Sequence, residues 1–382
     1  MPNSMADSAL DSLASRLGGK FEPFSIEMPN GQIRKIGNGE PVFRAVVRNE
    51  RGVKAVRSLD EANLAEAHMR GDIDFEGDLL QLFALRSALD DKHLSVSVWR
   101  FLQPLLFGQV YTNKQAIKSH YDADQRLFLS FLDETYPAYS QGVYLSDDEP
   151  LATALERKFR YAVESCELGP GKSVLEIGPG WGAFANFALQ ADADLTGITI
   201  STESHNYLTN KFSSRAERIR IHLADFLQFE PKQKFDAIVI MGVIEHLPDY
   251  AHVLRKFDYL LKPGGFVFLD GSAARKKYEL STFMVRHIYP GNHSFLVLDD
   301  FLNKLASVPL ELTELFSDRW SYFLTFRQWA QNLERSSDFL RSEFGESEYR
   351  KFRLYLWGAA YEFISHNLDC YRMVLYKPRA AS

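Results

Sequence analysis

Five short β-rich runs, SVLEIGPG, DLTGITI, RIHLAD, FDAIVIMG and FVFLDG, follow one another between residues 173 and 271, with helix-length segments separating them. Strands joined through such crossovers pair parallel, because an antiparallel return needs only a tight turn. The alternation predicts an α/β fold, a doubly wound, mostly parallel sheet with helices on both faces. The first run is itself informative, since VLEIGPGWGAFANFAL reads as strand, glycine turn and helix. Gly178, Gly180 and Gly182 let the backbone bend sharply and approach a ligand without a Cβ, just before a helix N-terminus. A dinucleotide site would show G-x-G-x-x-G and an acid after the second strand. This chain shows G-x-G-x-G after Glu176, and its second strand ends GITIST.

The texture upstream is different. Residues 1–20 read as a short helix or a loose tail. From 21 to about 90, FSIEMPNGQIRKIGNGEPVFRAVVRNERGVKAV is β-rich and broken by two Asn-Gly steps, the strongest short hairpin signal. SLDEANLAEAHMRG follows as a helix, with Ser58 as N-cap and Glu61 completing a capping box. These pieces predict a small α+β domain, lipid-binding-like, over residues 21–90. Residues 91–110 form a polar joint and an aromatic-rich apolar stretch, either a helix packed on a neighbouring domain or a surface that meets lipid. Residues 111–382 hold the α/β run. From about 278 to 368 the pattern turns helical and aromatic, until YRMVLYKP closes the chain as a strand.

A net charge of −6 weighs against nucleic acid as a partner, since phosphate binding needs a basic footprint. Cys166 and Cys370 are too few for a disulfide framework or a cysteine zinc cluster, so no metal site is expected and a cytoplasmic setting is. The N-terminus lacks the charged head and apolar core of a secretion signal, and no segment reaches the roughly 20 apolar residues of a bilayer span. Membrane contact would be peripheral, at the inner face. Arg275, Lys276 and Lys277 in ARKKYELS are placed to meet phosphate head groups.

The glycine turn, LADF with Asp225 and Phe226, FDAIVIMGVIEHL and LLKPGGFVFLDG together resemble the class I S-adenosylmethionine methyltransferases over residues 150 to 275. The resemblance implies a Rossmann-like sheet closed by a C-terminal antiparallel strand. It also implies that Glu176, Gly178, Gly180 and Gly182 line the methionine part of the cofactor. Asp225 would bond the adenine amino group, with Phe226 beside it, and Ile200 and Ser201 would lie near the ribose.

Further segments are similar to cyclopropane-fatty-acid synthases and their mycolic-acid and fatty-acid methyltransferase relatives. EAHMRGDIDFEGDLLQLF looks like that family's N-terminal module. SHYDADQRLFLSFLDETYPAYSQGVY resembles its approach segment, placing Tyr139 and Ser140 at the cofactor. GVIEHL matches its Glu-His element and WSYFLTFRQW its late Tyr-Thr-Trp segment. The resemblance implies alkylation of the double bond of an unsaturated phospholipid or acyl chain through a carbocation. Glu245 and Tyr322 would belong to a bicarbonate pocket, His246 would brace or act beside them, and the enzyme would be a homodimer with a helical cap.

Two positions depart from the family. Gln141 stands where relatives carry Cys, and Asp270 where they carry His. A carboxylate at the second would repel bicarbonate. Three outcomes follow: Asp270 takes the proton itself and a cyclopropane still forms; the cation resolves to a methylene or methyl branch; or the two carboxylates serve a different methyl acceptor. A small-molecule N-, O- or C-methyltransferase and a non-catalytic cofactor- or lipid-binding protein are the competing classes.

Overall fold

The computed structural model describes residues 2–19, 21–91, 124–289 and 293–379. Residues 92–110 of the expected apolar stretch and the start of the approach segment lie outside the described residues. The chain divides into two compact units. The first takes the described residues of Met1–Trp99, Leu280–Ile288 and Ala330–Tyr361, and the second those of Arg100–Glu279, Tyr289–Trp329 and Glu362–Ser382. The expected division at residues 91–110 is therefore incomplete, because two later segments belong with the N-terminal module.

In the first unit a four-stranded sheet has the order β2-β1-β3-β4, with β1 Phe24–Glu27, β2 Ile33–Ile36, β3 Phe43–Val47 and β4 Ile73–Gly77. The first Asn-Gly step makes the predicted hairpin, with β1 and β2 antiparallel and Gly31 at φ +81°. The second makes no hairpin, because β3 leaves β2 and pairs parallel with β1. The stretch ERGVKAVRS, expected as strand, is a helix capped by Asn49, whose side chain accepts from the Gly52 N–H at 3.0 Å. Ser58 ends that helix and does not begin the next one. Asp60 caps Glu61–Met69, accepting from the Asn63 N–H at 2.9 Å, because left-handed Leu59 separates the two helices. The N-terminal residues form helix Pro2–Leu17, and its Leu10, Leu13 and Leu17 are buried in the module's core with Phe24, Ile26 and Phe43.

The second unit is built on a seven-stranded sheet of order β10-β11-β9-β8-β5-β6-β7. Its strands are β5 Ser173–Ile177, β6 Asp194–Thr199, β7 Ile219–Leu223, β8 Phe235–Met241, β9 Leu261–Ala273, β10 Glu311–Ser317 and β11 Asp369–Tyr376. The five runs pair parallel, and β11 closes the sheet antiparallel to β9. The architecture is the expected class I S-adenosylmethionine methyltransferase fold. The region expected as purely helical contains one extra strand, β10, which pairs with β11 at the sheet edge, and its alternating ELTELFS was the missed signal. Central β8 is dry, with Ala237 to Ile240 fully buried, and the side chains of Ile238, Val239 and Ile240 contribute about 1.5–3 kcal/mol each.

Among the described residues no helix is long and apolar enough to cross a membrane. Of the three basic residues expected to meet head groups, Arg275 and Lys276 are exposed, whereas Lys277 is half-buried and spent within the chain. Its ammonium donates to the Pro248 carbonyl at 2.7 Å, pairs with Asp300 at 2.6 Å and lies over the Tyr250 ring.

Because Leu13 is 5 % exposed in the module core, Leu13→Ala is expected to destabilise the first unit by about 2–4 kcal/mol in urea titrations. A loose tail would show no change.

Candidate active site

A doubly wound sheet leaves a crevice beyond the C-terminal ends of its strands, where successive connections depart to opposite faces. Here a cavity of about 160 Å³ opens at that end of β5, β6, β7 and β8. Tyr139, Ser140, Glu176, Gly178, Gly180, Ile200, Ser201, Asp225, Phe226 and His246 all line it.

The turn after β5 is shaped by two separate needs. Gly178, at φ +71°, leaves room for the β8 tip, since a Cβ there would stand 2.5 Å from Val243. Gly180, at φ +53°, faces open space. The Ser204 hydroxyl donates to the Gly180 carbonyl at 2.7 Å, and Ser201 caps helix Thr202–Lys211. Gly182 does not line the cavity. Its constraint is packing, because a Cβ would meet Leu208 at 2.6 Å. Asp225 begins the turn after β7 and accepts from the Leu227 N–H at 2.8 Å, so capping occupies one of its oxygens.

Glu176 ends β5 beneath the cleft, and its Oε2 has no hydrogen-bond partner among the described residues. Burial pushes its carboxyl up to about 8. His246 is lowered to about 4 by burial, so its imidazole is neutral at pH 7. Neither group carries a settled charge into the cavity before a ligand arrives.

Of the expected catalytic set, His246 lines this cleft and the other four do not. Gln141, Glu245, Asp270 and Tyr322 are buried behind its wall. Glu245 sits on the turn Ile244–His246 after β8. Its Oε1 accepts the Ser272 N–H of β9 at 2.7 Å, while Oε2 has no partner among the described residues. Burial raises its carboxyl to about 7. Both amide atoms of fully buried Gln141 are likewise unpartnered among the described residues. Burial, with the field of Glu245, pushes the Tyr322 phenol well up, so it stays protonated.

Asp270 departs most from expectation. It is not a lone acid set against an anion, because its Oδ2 lies 3.3 Å from the ammonium of Lys158, and both side chains are fully buried. Its Oδ1 accepts the Gly242 N–H at 2.9 Å. Lys158 also donates to the Ser140 hydroxyl at 2.6 Å. The sequence reading missed Lys158. The signal was available: in LATALERKFRYAVES the residue falls on the buried stripe of Leu151, Ala154, Leu155 and Ala162. A lysine on a core face calls for a buried acid.

Aromatic rings surround the polar cluster. Tyr139 packs on Phe128 at 5.5 Å and Trp329 at 5.3 Å, and Tyr322 joins Phe326 and Phe363 at 4.8 and 4.7 Å. On another side His246 meets His293, which stacks on Tyr289 at 4.1 Å.

Comparison with known proteins places this geometry in context. Residues 109–373 match the family described as mycolic acid cyclopropane synthetase, and residues 16–96 match a domain of unknown function, DUF7884. A probable fatty acid methyltransferase of Pseudomonas putida is 27 % identical over 281 residues, covering 70 % of this chain and 71 % of that protein. The cyclopropane-fatty-acyl-phospholipid synthase of Escherichia coli K12 is 26 % identical over 361 residues, 88 % of each chain. The cyclopropane synthase MmaA2 of Mycobacterium tuberculosis superposes with a TM-score of 0.64 at 25 % identity, over 69 % of this chain and 98 % of that one.

The cofactor is S-adenosylmethionine, and the cleft fits it. Gly180 offers a cradle that a side chain would fill, and the unpartnered Glu176 offers an acid to a cationic ligand. With its acid at about 8, free protein holds the Glu176 proton at pH 7, and a bound cation pulls that group down. Cofactor binding at pH 7 is therefore expected to release at least about half a proton more from wild type than from Glu176→Gln. Calorimetry in two buffers of different ionisation enthalpy measures the difference, and equal release would remove Glu176 from the site.

Proposed function

Because the chain belongs to the mycolic acid cyclopropane synthetase family and is an S-adenosylmethionine-dependent methyltransferase, we propose that it methylates a double-bond carbon of an unsaturated lipid acyl chain. The observation that carries this reading is the burial of Glu245 and Gln141 in a unit where the rings of Tyr139, Trp329, Tyr322 and Phe326 pack on one another. An amine or hydroxyl acceptor needs polar partners for its own groups, whereas an alkene needs none. What it needs is exclusion of water, since attack of the π electrons on a methyl leaves a carbocation that water would trap. Ring faces such as those of Tyr139, Tyr322 and Trp329 also favour a nearby cation.

S-adenosylmethionine supplies the methyl as an electrophile on its sulfonium. The chain's own residues then determine what becomes of the cation. Loss of a proton from the transferred methyl with closure onto the cation forms a cyclopropane. After a 1,2-hydride shift onto the cation, loss of a proton from the same methyl leaves a methylene branch, and loss from a chain carbon leaves a methyl-branched alkene. Glu245 is suited to this stage because an acid near 7 exchanges protons readily at neutral pH. Bicarbonate, the base that the family resemblance implies, is the alternative acceptor of that proton. The orphaned amide of Gln141 and Oε2 of Glu245 are the donor and acceptor that would hold it, and it would supply a base beside the new methyl. The N-terminal module supports a lipid substrate through the Escherichia coli relative, whose name specifies a phospholipid-linked acyl chain and whose match spans both units.

Incubation with vesicles of unsaturated phosphatidylethanolamine is expected to add one CH2 per reacted chain by mass spectrometry, with no gain on the saturated lipid. Gain on a panel of small amines instead would overturn the lipid reading. Glu245→Gln is expected to lower kcat by at least about 100-fold, as loss of an acid-base group does. Cofactor affinity should stay within about threefold, because Glu245 does not line the cleft.

A further inference from the structure

The polar cluster contains a link that the reaction chemistry does not use. Lys158, on helix Leu151–Ser165, reaches Ser140 at 2.6 Å and Asp270 at 3.3 Å. Asp270, on β9, in turn holds the Gly242 N–H at 2.9 Å. Ser140 and Gly242 stand in the cleft wall. They are close neighbours, since a Cβ on Gly242 would lie 3.4 Å from that of Ser140. Gly242 has φ +64°, and three residues later the chain delivers Glu245. Gln141 is the residue directly after Ser140.

We propose that Lys158 and Asp270 act as a positioning pair, a buried salt link that clamps the Tyr139–Gln141 segment and the β8 tip into one cofactor wall. Asp270 is then not a proton acceptor. A base must stand within about 2.6–3.2 Å of the proton it takes, directly or through one water. Unlike Glu245, whose Oε2 is unpartnered among the described residues, Asp270 spends one oxygen on the Gly242 N–H and sets the other 3.3 Å from an ammonium. The pair also explains how an acid is tolerated where relatives carry His. Lys158 cancels its charge, so the neighbouring pocket is not the repulsive one that the sequence suggests. The pairing works in both directions, because removing one partner leaves the other as an uncompensated buried charge, whereas removing both does not.

The proposal rests on the cleft holding S-adenosylmethionine, and the test separates the two. Lys158→Met, Asp270→Asn and the double variant are purified full length. Each is measured for cofactor Kd by calorimetry and for kcat and KM on unsaturated vesicles. Wild type failing to bind cofactor would sink the functional reading and this proposal with it, whereas wild-type binding left unchanged in both single variants would sink the proposal alone.

Each single variant is expected to weaken cofactor binding about tenfold or more, with KM for cofactor rising further than kcat falls. The double variant strands no buried charge but lacks the ammonium that holds Ser140, so it is expected to recover folding stability while cofactor binding stays about tenfold weaker than in wild type. A double variant no better than Asp270→Asn, with cofactor binding intact and turnover lost, would make Asp270 part of the chemistry and overturn the proposal. Lys158→Met behaving as wild type would overturn it as well. Should neither single variant fold, the double decides: a folded double that binds cofactor at least about tenfold more weakly supports the clamp, and one that binds it as wild type does refutes it.

Discussion

The second unit depends on keeping ionisable groups in a dry interior without stranding their charge. Lys158, Glu176, Glu245, Asp270, Asp318 and Arg372 are all buried there. An isolated ion in such a setting costs several kcal/mol even after relaxation, so each must pair or discharge. Lys158 pairs with Asp270 and Arg372 with Asp318, the latter at 2.8 Å. The two remaining carboxyls take the other route, Glu176 rising to about 8 and Glu245 to about 7. The interior beside the cleft is close to neutral, which suits a ligand that brings its own positive charge.

Strand geometry makes this arrangement affordable. Parallel strands end together, so β5, β8 and β9 deliver Glu176, the Glu245 turn and Asp270 to one end of the sheet from distant points in the chain. Backbone amides there do work that side chains would otherwise do. Gly242 and Ser272 each donate an N–H to one of the carboxylates, and the Ser294 N–H donates to the Glu245 carbonyl at 2.7 Å. A carboxylate satisfied by backbone is held in place with little loss of side-chain freedom elsewhere.

The first unit shows how one local signal can have two outcomes. Asn30-Gly31 and Asn38-Gly39 look alike as dipeptides, yet only the first closes a hairpin. The second lies where the chain must pass to the far side of β1 to pair parallel, and no turn chemistry records which neighbour a strand will choose. The boundary between the helices Glu50–Ser58 and Glu61–Met69 likewise turns on Leu59 entering the left-handed region, which nothing in its side chain announces.

What the sequence determined by itself was local and periodic: five apolar runs spaced by helices, a glycine bend, and the acids and rings at strand ends. Those features specify a parallel sheet and a crevice at one end of it, because side-chain period and chain connectivity leave few other solutions. Every residue expected at the cofactor except Gly182 lines that crevice, while Phe128, Phe159 and Phe184, which line it from two helices and a helix N-cap, were not foreseen. Only the tertiary structure decided which groups face the cavity and which stand behind it. It separated Gly182, a packing glycine, from Gly180, and it set Glu245 and Asp270 behind the wall. It also brought Lys158, 112 positions before Asp270 in the chain, into an ion pair that changes the meaning of that acid. Burial and charge pairing are properties of three-dimensional neighbours, so an aspartate read alone shows its charge but not the cation that cancels it.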